Sequence, residues 1–262
     1  MVPTYTALRW AVSDGVGTIS LDRPAALNSL EATLKVELLA ALRAAGRDPA
    51  VRVVVLTGVG RAFCAGQDLK ERLAPDPTPL DVEVRRRFNP LVSAIRGLDK
   101  PVIAAVNGVA AGAGASLAFA CDLRIAAEPA TFVLAFGRVG LIPDSGATWL
   151  LPRLVGLGRA TELILLGEPI DSAEALRIGL VNRVVPADDL AAEVQRLAAA
   201  LAREAPRAMA LAKRALQRAQ ESNFEAALDY EASLQGIAGR TADHAEGLAA
   251  FVEKRAPRFS GS

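Results

Sequence analysis

The chain has 262 residues, 52% of them hydrophobic, with 30 Lys and Arg against 29 Asp and Glu. That is ample material for a sizeable core, and the balanced charge excludes the basic footprint of a nucleic-acid or membrane-surface binder. No apolar stretch is long enough to span a bilayer, and residues 1–10 lack the charged-then-apolar layout of a signal peptide, so a cytoplasmic location is expected.

Residues 8–12 and 16–21 alternate apolar and polar side chains and meet through Asp14-Gly15, which predicts a β-hairpin. Asn28-Ser29-Leu30-Glu31 has the spacing of a capping box and predicts the start of a first helix. That helix continues through Leu34, Leu38, Leu39 and Leu42 at helical spacing. Residues 51–57 are a β-branched run bounded by Gly58, the pattern of a strand buried on both faces. Residues 102–106 and 122–126 read the same way, so strands alternate with helices in a mainly parallel α/β sheet. Residues 74–80 carry three prolines and predict a surface loop. Beyond Asp171 the pattern is almost wholly helical, with an amphipathic stripe at Leu190, Val194, Leu197 and Leu201. Ser222-Asn223-Phe224-Glu225 predicts a helix start, and residues 246–255 form a last helix.

Cys64 and Cys121 are the only cysteines and His244 the only histidine, the last in a polar run. Two thiols in a chain this long read as reduced core or site-lining residues, not as a disulfide framework. A solvated histidine is unsuited to a Ser-His or Cys-His nucleophile, and a zinc site lacks ligands.

Three segments concentrate unusual residues. Residues 62–69, Ala-Phe-Cys-Ala-Gly-Gln-Asp-Leu, follow a buried strand, and small residues at Ala65 and Gly66 admit close approach to free backbone N–H groups, or else form only a tight turn. Residues 106–116 run from strand to helix through Gly112, Ala113 and Gly114, where unpaired N–H groups and the positive helix end suit an oxyanion or a phosphate. Leu117 stands where the third glycine of a dinucleotide fingerprint would be, which argues against nicotinamide binding. Asp144 follows Pro143, with apolar Leu141 and Ile142 on one side and Ser145 and Gly146 on the other. Apolar surroundings would raise its pKa and suit proton transfer; the competing reading is an N-cap for the helix through Trp149.

In this order the three segments resemble the enoyl-CoA hydratase/isomerase (crotonase) superfamily, from Leu21-Asp22-Arg23-Pro24 to Gly247 and Arg255. The resemblance implies an α/β fold, a crotonase-like ββα spiral over residues 1–195, and a helical C-terminal trimerisation region over residues 196–262 within the same functional domain. It implies an acyl-CoA substrate and no separate cofactor, coenzyme A being part of the substrate. The N–H groups of Ala65 and Ala113 would form the oxyanion hole, with Asp144 as proton shuttle. Ala26, Leu27, Ala65, Gly66, Gln67, Asp68, Leu69 and Gly112 would hold the CoA ester. Phe251 and Lys254 would reach the nucleotide of a neighbouring subunit in a trimer or a dimer of trimers. No metal, nucleic acid or membrane partner is implied.

The two glutamates that manage water and the α-proton in hydratases correspond here to Ser116 and Phe136. An acid after Ile142-Pro143 resembles isomerase branches, most closely the branch acting on the ring epoxide of phenylacetyl-CoA, which also shifts enoyl-CoA double bonds. The alternatives are a β-oxidation enoyl-CoA hydratase and a catalytically silent acyl-CoA-binding relative.

Overall fold

The computed structural model describes residues 5–262; residues 1–4, which open the N-terminal stretch read above, lie outside the described residues. The strands are β1 (Leu8–Ser13), β2 (Val16–Leu21), β3 (Val53–Gly58), β4 (Ala62–Cys64), β5 (Val102–Val106), β6 (Val109–Ala111), β7 (Leu123–Ala127), β8 (Thr131–Val133), β9 (Ile170–Asp171) and β10 (Arg183–Val185). The helices are α1 (Ala32–Arg47), α2 (Leu69–Arg72), α3 (Leu80–Glu83), α4 (Asn89–Gly97), α5 (Ala113–Ala120), α6 (Ala147–Val155), α7 (Leu157–Leu166), α8 (Ser172–Arg177), α9 (Leu190–Ala202), α10 (Pro206–Ala219), α11 (Phe224–Ala238) and α12 (Ala242–Glu253).

Six strands form one sheet in the order β1-β2-β3-β5-β7-β10, and four form a second in the order β4-β6-β8-β9. The antiparallel hairpin β1–β2 opens the first sheet, and every later pairing in it is parallel. Successive strands step between the sheets, β3 to β4, β5 to β6 and β7 to β8, and a helical segment follows each pair. The chain therefore winds as a spiral of ββα turns. The uninterrupted apolar runs are explained by two cores. Val53, Val55, Ile103, Ala105, Ile125 and Ala127 face Leu190, Val194, Ala198 and Ala202 of α9. Their neighbours Val54, Leu56, Val102, Ala104, Val106 and Ala126 face the main core. A strand covered on both sides has no polar face to display.

Four expectations need correction. The first helix starts at Ala32, and its N-cap is Glu31, whose carboxylate accepts from Thr33 N and Leu34 N. Asn28 instead takes a left-handed φ of 56° and holds the loop through Arg23 N, Val59 O and Ala62 O. The stretch beyond Asp171, read as almost wholly helical, also holds β10, which pairs with β7 and closes the first sheet. The boundary drawn between residues 195 and 196 falls inside α9, a single helix that roofs the sheet. The last helix begins at Ala242, capped by Thr241, and its exposed His244 sits beside Asp243, which is buried and accepts from Ser260 N and Gly261 N.

Candidate active site

Residues 65–68 run alongside the loop before α1. Leu30 N donates to Gly66 O at 2.7 Å and Asp68 N donates to Leu30 O at 3.2 Å, flanking Gln67 on both sides. Gly66 is required here. Its φ is 86°, and a Cβ would lie 2.7 Å from Ala111 O and 3.3 Å from Ala113 N. What approaches Gly66 closely is therefore the chain's own backbone, at the entry to α5. Gly114 is equally constrained, since a Cβ there would sit 2.1 Å from Cys64 O. The missing side chains bring the start of α5 against the end of β4.

This geometry corrects the reading of Ala65. Its N–H donates to Leu27 O at 3.0 Å and is not free for a ligand. Among the described residues, the N–H groups of Gln67 and Ala113 have no acceptor. A Cβ on Gly66, the residue before Gln67, would lie 3.3 Å from Ala113 N, so the two donors belong to neighbouring stretches of backbone. The sequence carries no signal for this, because Leu27 O lies across from Ala65 and the free donor falls one residue after Gly66.

Asp144 and α5 are joined directly. The Ser116 hydroxyl, fully buried, lies 3.2 Å from both Gly112 O and Asp144 O. The Phe136 ring is 3.7 Å from where a Gly112 Cβ would be, so an aromatic edge borders the N-terminus of α5. Asp144 does not cap α6. That helix is preceded by Gly146 at φ 79° with no side-chain cap, and the Asp144 carboxylate accepts from Ser145 Oγ, at 2.9 Å. Burial raises the Asp144 pKa above the ordinary value, outweighing the Ser145 hydroxyl, which pulls it down. The cause differs from the sequence expectation, because Leu141 and Ile142 point outward and Ile142 is 81% exposed. The buried neighbours are Ser145, Ser116 and Ala147.

The other expected residues divide. Ala26 ends a 3-10 turn, and Leu27 takes a left-handed φ of 51° to present its carbonyl to Ala65. Asp68 is buried with its carboxylate on Arg23 (3.0 Å), Ser29 Oγ (3.1 Å) and Lys70 N (3.1 Å). Burial pushes that carboxyl up, but these partners hold it below the usual range. It organises the loop. Leu69 is exposed at the start of α2. Phe251, 84% exposed, and Lys254 project from the far end of α12. Among the described residues neither side chain hydrogen-bonds to the site. Cys64 and Cys121 are buried free thiols, and burial pushes each up to about 12. Among the described residues no group of His, Cys, Asp or Glu is arranged to hold a metal ion, and no helix is long and apolar enough to cross a membrane.

A two-sheet ββα spiral with free N–H groups at Gln67 and Ala113, and a half-buried acid tied through Ser116 to the helix that Ala113 begins, defines a class of α/β protein. Its family follows from comparison: residues 11–262 match the model of the enoyl-CoA hydratase/isomerase family, and the chain belongs to it. It is 46% identical to the 1,2-epoxyphenylacetyl-CoA isomerase of Escherichia coli (strain K12), over 95% of this chain and 97% of that one. It is also 46% identical to a protein named probable enoyl-CoA hydratase from Rhodobacter capsulatus, over 98% and 99% of the two chains. The solved enoyl-CoA hydratase from Bacillus anthracis superposes with a TM-score of 0.95 at 39% identity, covering 98% of this chain and 100% of that one. The fold is thus the crotonase spiral, and the protein is an enzyme of the family that acts on CoA thioesters.

Proposed function

We propose that the protein is an acyl-CoA isomerase in which Asp144 moves a proton between two carbons of an enoyl thioester. The observation that carries this reading is Asp144 itself, a half-buried carboxylate with a raised pKa and, among the described residues, no cationic partner, tied through Ser116 to the helix that supplies a free N–H. The ionised carboxylate takes the proton from C2 of a 3-enoyl-CoA. The electron pair spreads over the thioester oxygen and C4, and the same carboxyl returns the proton at C4 to give the 2-enoyl product. One base serves both steps. The Gln67 and Ala113 N–H groups would hold the oxyanion, and each such donor lowers the barrier by about 3 kcal/mol in comparable sites.

Hydration needs a second carboxylate to position water. Ser116 has its hydroxyl engaged by two carbonyls, and Phe136 offers an apolar ring. The ring also favours an aryl or epoxide-bearing acyl group, so the proposed substrate is the ring epoxide of phenylacetyl-CoA, with straight-chain 3-enoyl-CoA as a second substrate. Because relatives at equal identity bear isomerase and hydratase names, activity must be read from the reaction. Three substrates decide it: a 3-enoyl-CoA, the epoxide, and crotonyl-CoA. Isomerisation that greatly exceeds hydration supports the reading, and hydration as the dominant activity overturns it.

We also propose assembly as a trimer or a pair of trimers. Leu248, Phe251 and Val252 of α12 are 56%, 84% and 78% exposed, so this apolar face does not close the chain's own core. Sedimentation as a monomer at micromolar concentration would overturn this.

A further inference from the structure

Lys35 occupies a position that its neighbours make apolar. It lies on the α1 stripe with Leu38 and Leu42, at i, i+3 and i+7, and its side chain is 1% exposed. A buried ammonium persists only when it is paired and hydrogen-bonded. Its Nζ donates to Glu71 Oε2 at 2.9 Å and Glu83 Oε1 at 2.5 Å, and lies 5.0 Å from the centre of the Phe88 ring. The two carboxylates are not equivalent. Glu83 turns its other oxygen towards Arg87, 3.4 Å away, at the outer side of the cluster. Glu71 faces the active site: Oε1 accepts from Ala32 N at 2.6 Å and Oε2 from the Gln67 side-chain amide at 3.1 Å. A continuous chain of contacts therefore runs from the buried ammonium through Glu71 to the residue with the free oxyanion N–H.

We infer that Lys35 is a positioning residue, which through Glu71 fixes Gln67 so that its N–H points at the thioester oxygen. This deepens the proposed function and rests on Gln67 as a donor. The physical reason for a buried charge here is directional. Leu30 pairs with the backbone on both sides of Gln67, and past Asp68 the chain turns into α2, one helical turn long. Glu71, on that helix, anchors the Gln67 side chain. A neutral side chain at its position could not bind an amide, a backbone N–H and an ammonium together with comparable strength. Glu83 balances charge and fastens α3, with no hydrogen bond to Gln67.

The comparison of Glu71→Gln with Glu83→Gln tests this. Both remove one partner of the same ammonium and both should lower the melting temperature. Only Glu71→Gln should act on the reaction, cutting kcat about tenfold with KM within about twofold, as expected when a donor is shifted by a fraction of an ångström. Glu83→Gln should keep kcat within about twofold. Lys35→Met should follow Glu71→Gln; if it fails to fold, the glutamine pair still decides. A second readout does not depend on turnover: the red shift of a bound conjugated aryl-enoyl-CoA, which reports polarisation of its carbonyl. Wild type should show the shift, Glu71→Gln should weaken it, and Glu83→Gln should retain it. Equal effects of the two variants, or a full shift in Glu71→Gln, would overturn the positioning role and leave the oxyanion reading intact. No shift in wild type with the thioester bound would overturn both.

Discussion

Replacing Asp144 by Asn removes one proton-accepting oxygen and almost nothing else. The amide has the same size and can still accept from Ser145 Oγ, now at 2.9 Å from the carboxylate. The Asp144 carbonyl keeps its bonds from Ser116 and Ala147. The rate should fall by about a hundredfold to ten-thousandfold, the range for losing a general base, which is at least about 2.7 kcal/mol of barrier. The pH profile makes a sharper test. Asp144 acts as its ionised form, and burial places its pKa above the usual carboxylate range. Wild-type kcat should therefore fall on the acid side at a pH above about 4, and Ser145→Ala should move that limb higher by removing the hydroxyl that lowers it. Stability runs the other way. A carboxyl whose folded pKa is raised contributes fully below its unfolded pKa, and that contribution is lost as pH rises through the folded value. Asp144→Asn should thus melt above wild type at pH 7 and match it near pH 3. A variant with near-normal isomerase rates, or one that melts lower at pH 7, would refute the assignment.

Ser116→Glu with Phe136→Glu should raise crotonyl-CoA hydration above background, because two carboxylates would then border the α,β-bond; folding must be verified by circular dichroism, since buried charge destabilises. Robust hydration by the unmodified protein would contradict it. Gly114→Ala should cost about 3 kcal/mol in urea unfolding, because its methyl would overlap Cys64 O and force α5 from β4; an unchanged midpoint would show that the contact yields. Cys64 and Cys121, each pushed up to about 12 by burial, should react with a thiol reagent at pH 8 only at the rate of unfolding, and rapid labelling of the native protein would count against that burial.

The sequence disclosed the sheet strands best, because apolar runs such as residues 102–106 have a simple cause: Ile103 and Ala105 face one core while Val102, Ala104 and Val106 face the other. It disclosed β10 worst. Arg183-Val184-Val185 is three residues long and half-buried, and only pairing with β7 makes it a strand. Helix starts went astray for a related reason. Asn28 and Glu31 have capping-box spacing, but Asn28 finds better partners across the fold, at Val59 and Ala62. Local propensity names the residues that can cap, and tertiary contacts choose among them.

Within the site, the same contrast separates the candidates. Asp144 and Ala113 stand out in the sequence because a lone acid after Pro143 and a glycine-flanked helix start are unusual in themselves. Ala65 does not, since whether a backbone N–H is free depends on what lies across from it, and Leu27 lies across from Ala65. Lys35 left a clear mark, a charge at a stripe position between Leu34 and Leu38, but its meaning needed partners 36 and 48 residues away. The spiral supplies those partners. Gly66 follows β4, Ala113 follows β6 and Asp144 comes after β8, three neighbouring strands of the second sheet. The placement of these candidates is therefore set by the packing between turns, at Gly66 on Ala111, Gly114 on Cys64 and Ser116 on Asp144.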